Sequence, residues 1–341
     1  MEKLFTLPVC VLLSATLYAG EPFATYSFSS ASIASLEINT IASDITLTGD
    51  AGDKTVVQVF ISGNNQTEEQ IKQMLDEYYT IDIRVAEGKL FAVVKHKKDI
   101  YEQPELNISF NISVPKHVSG KMNSASGNIR ISGTFSDLRF NTGSGSLGID
   151  LVSGKIFGNT GSGNIMLTNS ADNIMLNTGS GNIQVNNCTD KVSLNTGSGN
   201  IQANNCDGNV MLNSGSGNVT ADNINGTLKA GSGSGSIVVK DISGNLYINS
   251  ASSANVSAIM KSVNECVIIT SDNKNNNIRN VNLTLPSNSG YNMNVKAENL
   301  EMSGMIDFRG EMDKKTLNGT VGNGGAKIEI SKSQQVNLTF N

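Results

Sequence analysis

The feature that most constrains the fold is a phrase that returns every eighteen residues through the middle of the chain. Asn-Thr-Gly-Ser-Gly begins at Asn141 and recurs unchanged three times at this spacing. Degenerate copies extend the series from Asn123 to Asn249 without an insertion or deletion. A fixed period of this length indicates a repeat protein, in which each unit stacks on the one before it.

Apolar residues occupy fixed positions within each unit. Counted from the Asn as position one, aliphatic side chains fill positions seven and nine and positions sixteen and eighteen. In one unit these are Ile183, Val185, Val192 and Leu194. Alternation with a period of two predicts two short strands per unit, and the turn-forming run Asn186–Asp190 separates them. Eighteen residues are too few for two helices and a turn.

The sequence therefore predicts an all-β fold, a right-handed parallel β-helix (solenoid) with one 18-residue coil per unit. Stacked coils would lie about 4.8 Å apart, so that identical residues form ladders along the solenoid. The handedness follows from two considerations. The aliphatic residues come in pairs rather than singly every six residues as in left-handed β-helices, and right-handed crossovers are the strong default between parallel strands.

The flanking segments predict one β-helical domain over residues 20–341, with regular repeats over 123–258. A helix–hairpin insertion or cap is expected at about 62–100. Thr67-Glu68-Glu69-Gln70 forms a capping box ahead of a helical apolar pattern, and alternating residues follow on either side of Glu87-Gly88. Such an insertion would cover an open end of the solenoid, whose edge strands would otherwise pair with other chains.

Residues 1–19 have the form of a signal peptide. A short n-region precedes an apolar stretch from Leu4 to Tyr18, and small residues for cleavage follow at Ala19 and Gly20. No later apolar run is long enough to span a bilayer. We therefore expect an exported chain that ends in the periplasm, on the cell surface or in the medium.

The charge balance excludes two classes of partner. Charged residues make up 16% of the chain and the formal net charge is −5, whereas an average globular protein has roughly 25% charged residues. Nucleic acids and anionic membrane surfaces are bound by strongly basic patches. We expect neither nucleic acid nor a transmembrane segment, and the oligomeric state is left open.

A second internal match carries a family resemblance. The strand–proline element Asn111–Pro115 precedes Met122 by the same spacing that separates Asn282–Pro286 from Met293. With Ser-Gly-Asn-Ile phrases such as Ser162–Ile165, this pattern resembles the bacterial putative-adhesin domain family. These are exported β-strand-repeat domains of unknown function, related to autotransporter adhesin head domains. The resemblance covers the chain from about residue 36 to its end and implies no catalytic motif.

Two rows of asparagine are the candidate binding residues. Stacked amides could bind a periodic glycan by repeated hydrogen bonds. They could equally stabilise the corners of the solenoid by bonding to one another, and this structural interpretation is favoured. The rows occupy position one (Asn159, Asn177, Asn195, Asn213) and position six (Asn164, Asn182, Asn200, Asn218).

Threonine at position two, as in Thr160 and Thr178, forms a further ladder. The alternation counted from positions sixteen and eighteen points position two inward, which argues against an exposed ice-binding plane.

Cys188 and Cys206 share position twelve, where other units carry aliphatic residues. They are either stacked core cysteines, which is the favoured interpretation, or a disulfide between neighbouring coils.

Enzymatic motifs are weak throughout the sequence. His96 and His117 are the two histidines, and neither lies at ligand spacing from Cys, Asp or Glu. We expect no enzyme activity, no catalytic or metal-binding residues and no cofactor. The favoured function is a non-catalytic exported envelope or surface protein that presents polar ladders to a glycan or protein partner. The alternatives are a self-assembling envelope scaffold and, third, a glycan-active β-helix enzyme.

Overall fold

The structure is a computed structural model that describes residues 21–63, 66–97, 106–250, 254–270, 277–304 and 307–341. The expected signal peptide at residues 1–19 lies outside these residues. Within them the chain is mostly β-strand with one α-helix, which confirms the all-β prediction. No helix of the described part is long and apolar enough to cross a membrane.

The helix α1 spans Glu68–Tyr78, and a single 3-10 turn spans Ser30–Ser32. The strands, in chain order, are β1 (Ala24–Ser29), β2 (Ser35–Thr40), β3 (Asp44–Ala51), β4 (Lys54–Gly63), β5 (Tyr79–Ala86), β6 (Lys89–His96), β7 (Leu106–Pro115), β8 (Val118–Ser124), β9 (Ile129–Thr142), β10 (Leu147–Thr160), β11 (Ile165–Thr168), β12 (Asn173–Thr178), β13 (Ile183–Thr196), β14 (Ile201–Ser214), β15 (Val219–Ser232), β16 (Ile237–Ser250), β17 (Asn255–Thr270), β18 (Ile278–Leu285), β19 (Tyr291–Ser303), β20 (Phe308–Met312), β21 (Thr316–Val321) and β22 (Ala326–Phe340).

The central strands pair in parallel, and each residue faces the residue eighteen positions later. Between β13 and β14, Ile183 faces Ile201 and Leu194 faces Leu212. The same offset joins β14 to β15 and β15 to β16. Because like stacks on like, the aliphatic positions form one continuous buried core along the array. Burial of this apolar column is the main favourable term for folding.

At the N-terminal end, the order of strands in the sheet departs from their order in the chain. β2 lies between β6 and β8, and β3 lies between β7 and β9. The chain therefore leaves this layer after β3, builds the outer layers and then returns at β8. The alternating segment Thr55–Phe60 would by its pattern continue a first coil, but it lies in β4, which runs antiparallel to β7 and β1 and so is not part of the parallel array.

The helix α1 and the β5–β6 hairpin belong to these outer layers. α1 begins at a reciprocal capping box, in which the Gln70 backbone N–H donates to the Thr67 hydroxyl at 3.3 Å and the Thr67 N–H donates to the Gln70 side chain at 2.8 Å. β5 runs antiparallel to β6. Since β6 pairs with β2, the hairpin continues the sheet outward and ends it with an antiparallel strand.

The C-terminal end repeats this departure from chain order. The last strand, β22, lies between β17 or β18 on one side and β19 on the other. β21 and then β20 follow β19 in antiparallel orientation. The final strand is thus held by hydrogen bonds on both sides, and antiparallel strands flank the parallel array at both ends.

Six consecutive units, from Leu151 to Asp241, have left-handed backbone at position eleven. Asn187, Asn205 and Asn223 occupy it with φ near +55°, a region that asparagine tolerates better than most residues. Their side-chain amides stack, since Asn205 donates to Asn187 at 3.2 Å and Asn223 donates to Asn205 at 2.9 Å. Leu151 is the exception, with φ of +54° and 65% of its surface exposed.

We therefore expect Leu151→Asn to stabilise the protein. Leucine in the left-handed backbone region is strained by about 1–2 kcal/mol, and asparagine removes this strain. The new side-chain amide would also lie beside that of Asn169. The expected gain is about 1 kcal/mol in the free energy of unfolding measured by urea titration. Phe157→Asn is the matched control, because Phe157 is also exposed but has ordinary backbone. An equal gain in both variants would contradict the explanation.

Candidate functional site

The position-one asparagines form a hydrogen-bonded ladder that is longer than the sequence analysis indicated. Each side-chain amide donates to the side-chain oxygen of the unit before it, at 2.8 to 3.1 Å. The rungs are Asn39, Asn123, Asn141, Asn159, Asn177, Asn195 and Asn213. Asn39 was missed because it precedes the repeats in the chain and joins them only through the inserted strand β2.

A carboxylate fixes the direction of this ladder. The Asn39 amide donates to the Glu37 carboxylate at 3.1 Å, so its oxygen is left to accept from Asn123. Every later rung then donates in the same direction. Each inner rung, such as Asn177, uses one donor and one acceptor within the row. The ladder is thus largely satisfied internally, which is what the structural interpretation requires.

The position-six asparagines use their side chains differently. The side-chain oxygens of Asn164, Asn182 and Asn200 accept the backbone N–H at the same position of the next unit, at 2.8 to 2.9 Å. Asn218 accepts from the backbone N–H of Ser236 in the same way. The oxygens are thus structural, whereas the amide nitrogens lie on exposed residues. Position six thus keeps both N–H donors of each amide for a ligand, whereas position one keeps one.

Position two points inward, as the alternation predicted. Thr160 and Thr178 are each 5% exposed. The Thr178 hydroxyl donates to the carbonyl of Gly163 at 2.9 Å and accepts the N–H of Gly181 at 3.1 Å. A Cβ at Gly181 would lie 1.9 Å from the Gly163 oxygen, so this close approach requires glycine. The hydroxyl row therefore ties successive turns together and offers no exposed plane.

This geometry predicts that Thr178→Val is destabilising and Thr178→Ser is tolerated. Valine keeps the shape but leaves a buried N–H and a buried carbonyl unpaired, at a cost of about 2 kcal/mol or more. Serine keeps both bonds, as Ser214 does at the same position with 2.9 Å and 2.8 Å. Urea titrations of both variants test this, and equal stabilities would contradict it.

The two position-twelve cysteines face each other across β13 and β14. Both are buried free thiols in this structure, and a disulfide between them stays a prediction. A hydrogen bond to Cys206 and then burial raise the pKa of the Cys188 thiol above its ordinary value. Burial raises the pKa of Cys266 to about 12. Protonated, buried thiols such as Cys188 and Cys266 are poor nucleophiles at neutral pH.

The structure does not bring the histidines into a shared site. The His96 ring packs against Tyr79, with centroids 4.8 Å apart, and His117 occupies a turn with φ of +62°. Among the described residues, no three His, Cys, Asp or Glu side chains are grouped so as to hold a metal ion.

An open cavity of about 430 Å³ lies beside α1 and is lined in part by Phe23 and Tyr26.

The direction of the position-one ladder gives a pH prediction. In Asn195→Asp, an unprotonated carboxylate would face the Asn177 oxygen, which now accepts from Asn195 at 2.8 Å. The folded state therefore raises the pKa of this aspartate above its usual value of about 3.9. The stability deficit relative to wild type should be small below pH 4. It should grow to about 1–2 kcal/mol as the pH rises through the folded pKa.

Urea titrations at pH 3.5, 5 and 7 measure this deficit. Asn195→Ala is the control, because it breaks the same bonds without an ionisable group and its deficit should not follow the aspartate titration. If the amides below residue 195 instead reversed direction to donate to the carboxylate, the variant would become relatively more stable as the pH rises. That outcome would show that Glu37 does not fix the direction of the ladder.

Residues 33–240 match the family model described as Toastrack DUF4097. No curated protein matches the sequence. The crystal structure of a putative cell adhesion protein from Clostridium sporogenes ATCC 15579 aligns at 11% identity and a TM-score of 0.19, over 94% of this chain and 100% of that one. This score is too low to indicate a shared fold. Because the family model matches well over half of the residues of this chain, the chain belongs to the Toastrack DUF4097 family.

Proposed function

We propose that the protein is a non-catalytic, exported, adhesin-like envelope or surface protein. Its β-solenoid presents its outer faces to an extended glycan or protein partner. In this proposal each 18-residue unit winds one coil of a right-handed parallel β-helix, and residues 1–19 direct export. Membership of the Toastrack family supports a β-rich domain of this kind. The relation to autotransporter adhesin heads stays a prediction.

The observation that carries the proposal is the in-register stacking of whole units. The Asn39–Asn213 ladder and the buried core run side by side without a break. Equivalent groups therefore recur about every 4.8 Å along the array. A surface with this translational order suits a partner that is itself linear and periodic, since each added repeat makes the same contacts.

The self-assembling scaffold is the alternative, and the strand order opposes it. Filament growth by stacking of solenoid ends needs open parallel edges. β1, β4 and β5 at one end and β20 and β21 at the other are antiparallel to their neighbours. A second copy of the chain could not simply continue the parallel register across these strands.

The glycan-active enzyme is the third interpretation. Hydrolysis of a glycosidic bond uses two carboxyl groups roughly 5–10 Å apart that converge on one bond. Two aspartates of the units are instead used in corners: Asp150 accepts from Thr168 at 2.6 Å and from Asn169 at 3.0 Å, and Asp172 accepts the Gly154 N–H at 2.8 Å. These contacts support a structural use of the acidic residues and a non-catalytic protein.

A binding panel of linear polysaccharides and envelope polymers, run beside light scattering with the purified full chain, tests the proposal. We expect saturable binding to at least one linear polymer by a protein whose mass does not grow with concentration. Product release from any glycan would favour the enzyme, and concentration-dependent growth would favour the scaffold. Thr178→Ser is the control variant, because it should fold and bind as wild type does.

A further inference from the structure

One outer face of the array has a charge opposite to that of the whole chain. It is formed by the outward side chains at positions fifteen and seventeen, from Lys121 in β8 to Tyr247 in β16, and is called the basic face below. The pairing sets these residues in register, with Lys155 opposite Asp137 and Phe157 between Arg139 and Met175.

Five exposed cations lie on the basic face, against a single carboxylate. They are Lys121, Arg139, Lys155, Lys191 and Lys229, and the carboxylate is Asp137. The face thus carries an excess of four positive charges, whereas the chain as a whole has a net charge of −5. Such a concentration of one sign attracts ligands of the other sign and steers their approach.

Most of these cations form no ion pair with a described residue. Arg139 contacts Asp137 at 3.5 Å, and the Lys229 ammonium lies 5.6 Å from the centre of the Tyr247 ring. Lys155 and Lys191 form no ion pair with any described residue. Exposed lysines without a carboxylate partner are available to an external anion.

Two carboxylates border the face at its ends: Glu37 lies in register beside Lys121, and Glu265 accepts from the Tyr247 hydroxyl at 2.6 Å. Along its length, the neighbouring carboxylates belong to the position-fourteen corner. That of Asp172 is held by the Gly154 N–H at 2.8 Å, and that of Asp190 by the Thr189 hydroxyl at 3.2 Å. Both are thus engaged by groups of the corner itself. The opposite rim of the face is the uncharged position-one ladder, so an anion can approach the lysines from that side.

An apolar stripe runs between the cations. Phe157, Met175 and Met211 are 37–38% exposed at position seventeen, which is unusual for large apolar side chains on a sheet face. Phe157 and Met175 line an open depression of about 340 Å³ together with Arg139 and Lys155. Apolar surface beside fixed positive charges indicates a binding surface for a ligand that has both negative charges and apolar surface.

The spacing of the lysines limits what the ligand is. Lys155 and Lys191 share position fifteen two units apart, and Lys229 follows two units further. Along the array their backbones are thus separated by about 9.6 Å at each step, and Lys229, at position seventeen, is also displaced by two residues along the strand. Double-stranded DNA carries a charge every ~1.7 Å along its axis, far denser than this pattern. A peptide with an acidic residue at every position also has its charges too close together, because an extended strand advances only about 3.4 Å per residue.

We propose that the basic face binds a linear polysaccharide that carries one carboxylate about every 10 Å, that is, one acidic sugar in each disaccharide. The carboxylates pair with Lys155, Lys191 and Lys229, and the C–H faces of the sugar rings lie on Phe157 and the methionines. This inference rests on the proposed function and names the ligand class and the face that binds it. Six units separate Lys121 from Lys229, so contact extends over about 29 Å.

The test is calorimetric titration of the full chain with hyaluronate oligosaccharides of increasing length, which carry one carboxylate per disaccharide. Affinity should rise with length until the oligosaccharide spans about 29 Å and should fall as salt is raised. The double variant Lys155→Gln, Lys191→Gln should lose affinity by about tenfold or more. Lys240→Gln is the matched control, because Lys240 is an exposed lysine outside the face and its loss should change affinity little.

Phe157→Ser separates the apolar stripe from the charges. This variant should lower the affinity for hyaluronate without changing the salt dependence of binding. Equal affinity of wild type and the double lysine variant would overturn the inference, and so would tighter binding of polyglutamate or duplex DNA than of hyaluronate. If a neutral glycan or a protein binds and the double lysine variant binds it equally, the inference fails while the proposed function stands. If no polymer or protein binds at all, both fail.

Discussion

The rest of the structure depends on parallel pairing of each residue with its equivalent eighteen positions later. Under this constraint every side chain must be compatible with its own kind at about 4.8 Å. Aliphatic residues meet it by packing, and asparagine and threonine meet it because each both donates and accepts a hydrogen bond. A charged row cannot, since like charges directly opposite each other repel. The low charged fraction of 16% is therefore a consequence of the pairing.

The same constraint explains how charges are distributed at position fifteen. At position fifteen the sequence through the units is Asp137, Lys155, Asn173, Lys191 and Asn209. Each lysine is separated from the next by an amide, so no two cations are direct neighbours in this row. The spacing of two units that reduces repulsion also sets the period with which the basic face can meet an anionic polymer. Stability and recognition are thus served by one arrangement.

The sequence contained enough information for the central units and too little for the ends. The period of eighteen, the inward position of Thr178 and the capping box at Thr67 all follow from local pattern, because neighbouring units repeat the same environment. The insertions of β2–β3 between later strands and of β22 beside β19 involve partners far apart in the chain. No local pattern distinguishes an inserted strand from a sequential one, so Asn39 could not be assigned to the ladder.

The basic face was missed for a related physical reason. A search for repeats finds positions where residues are identical, and identity in this array marks groups that bond to one another, such as the position-one asparagines. Their hydrogen-bonding capacity is already largely used within the protein. A ligand must instead find groups whose bonds are not satisfied internally, and these lie at positions that differ between units, as Lys155, Phe157 and Met175 do. In a protein held together by like-on-like stacking, recognition therefore belongs to the positions where the repeat is least regular.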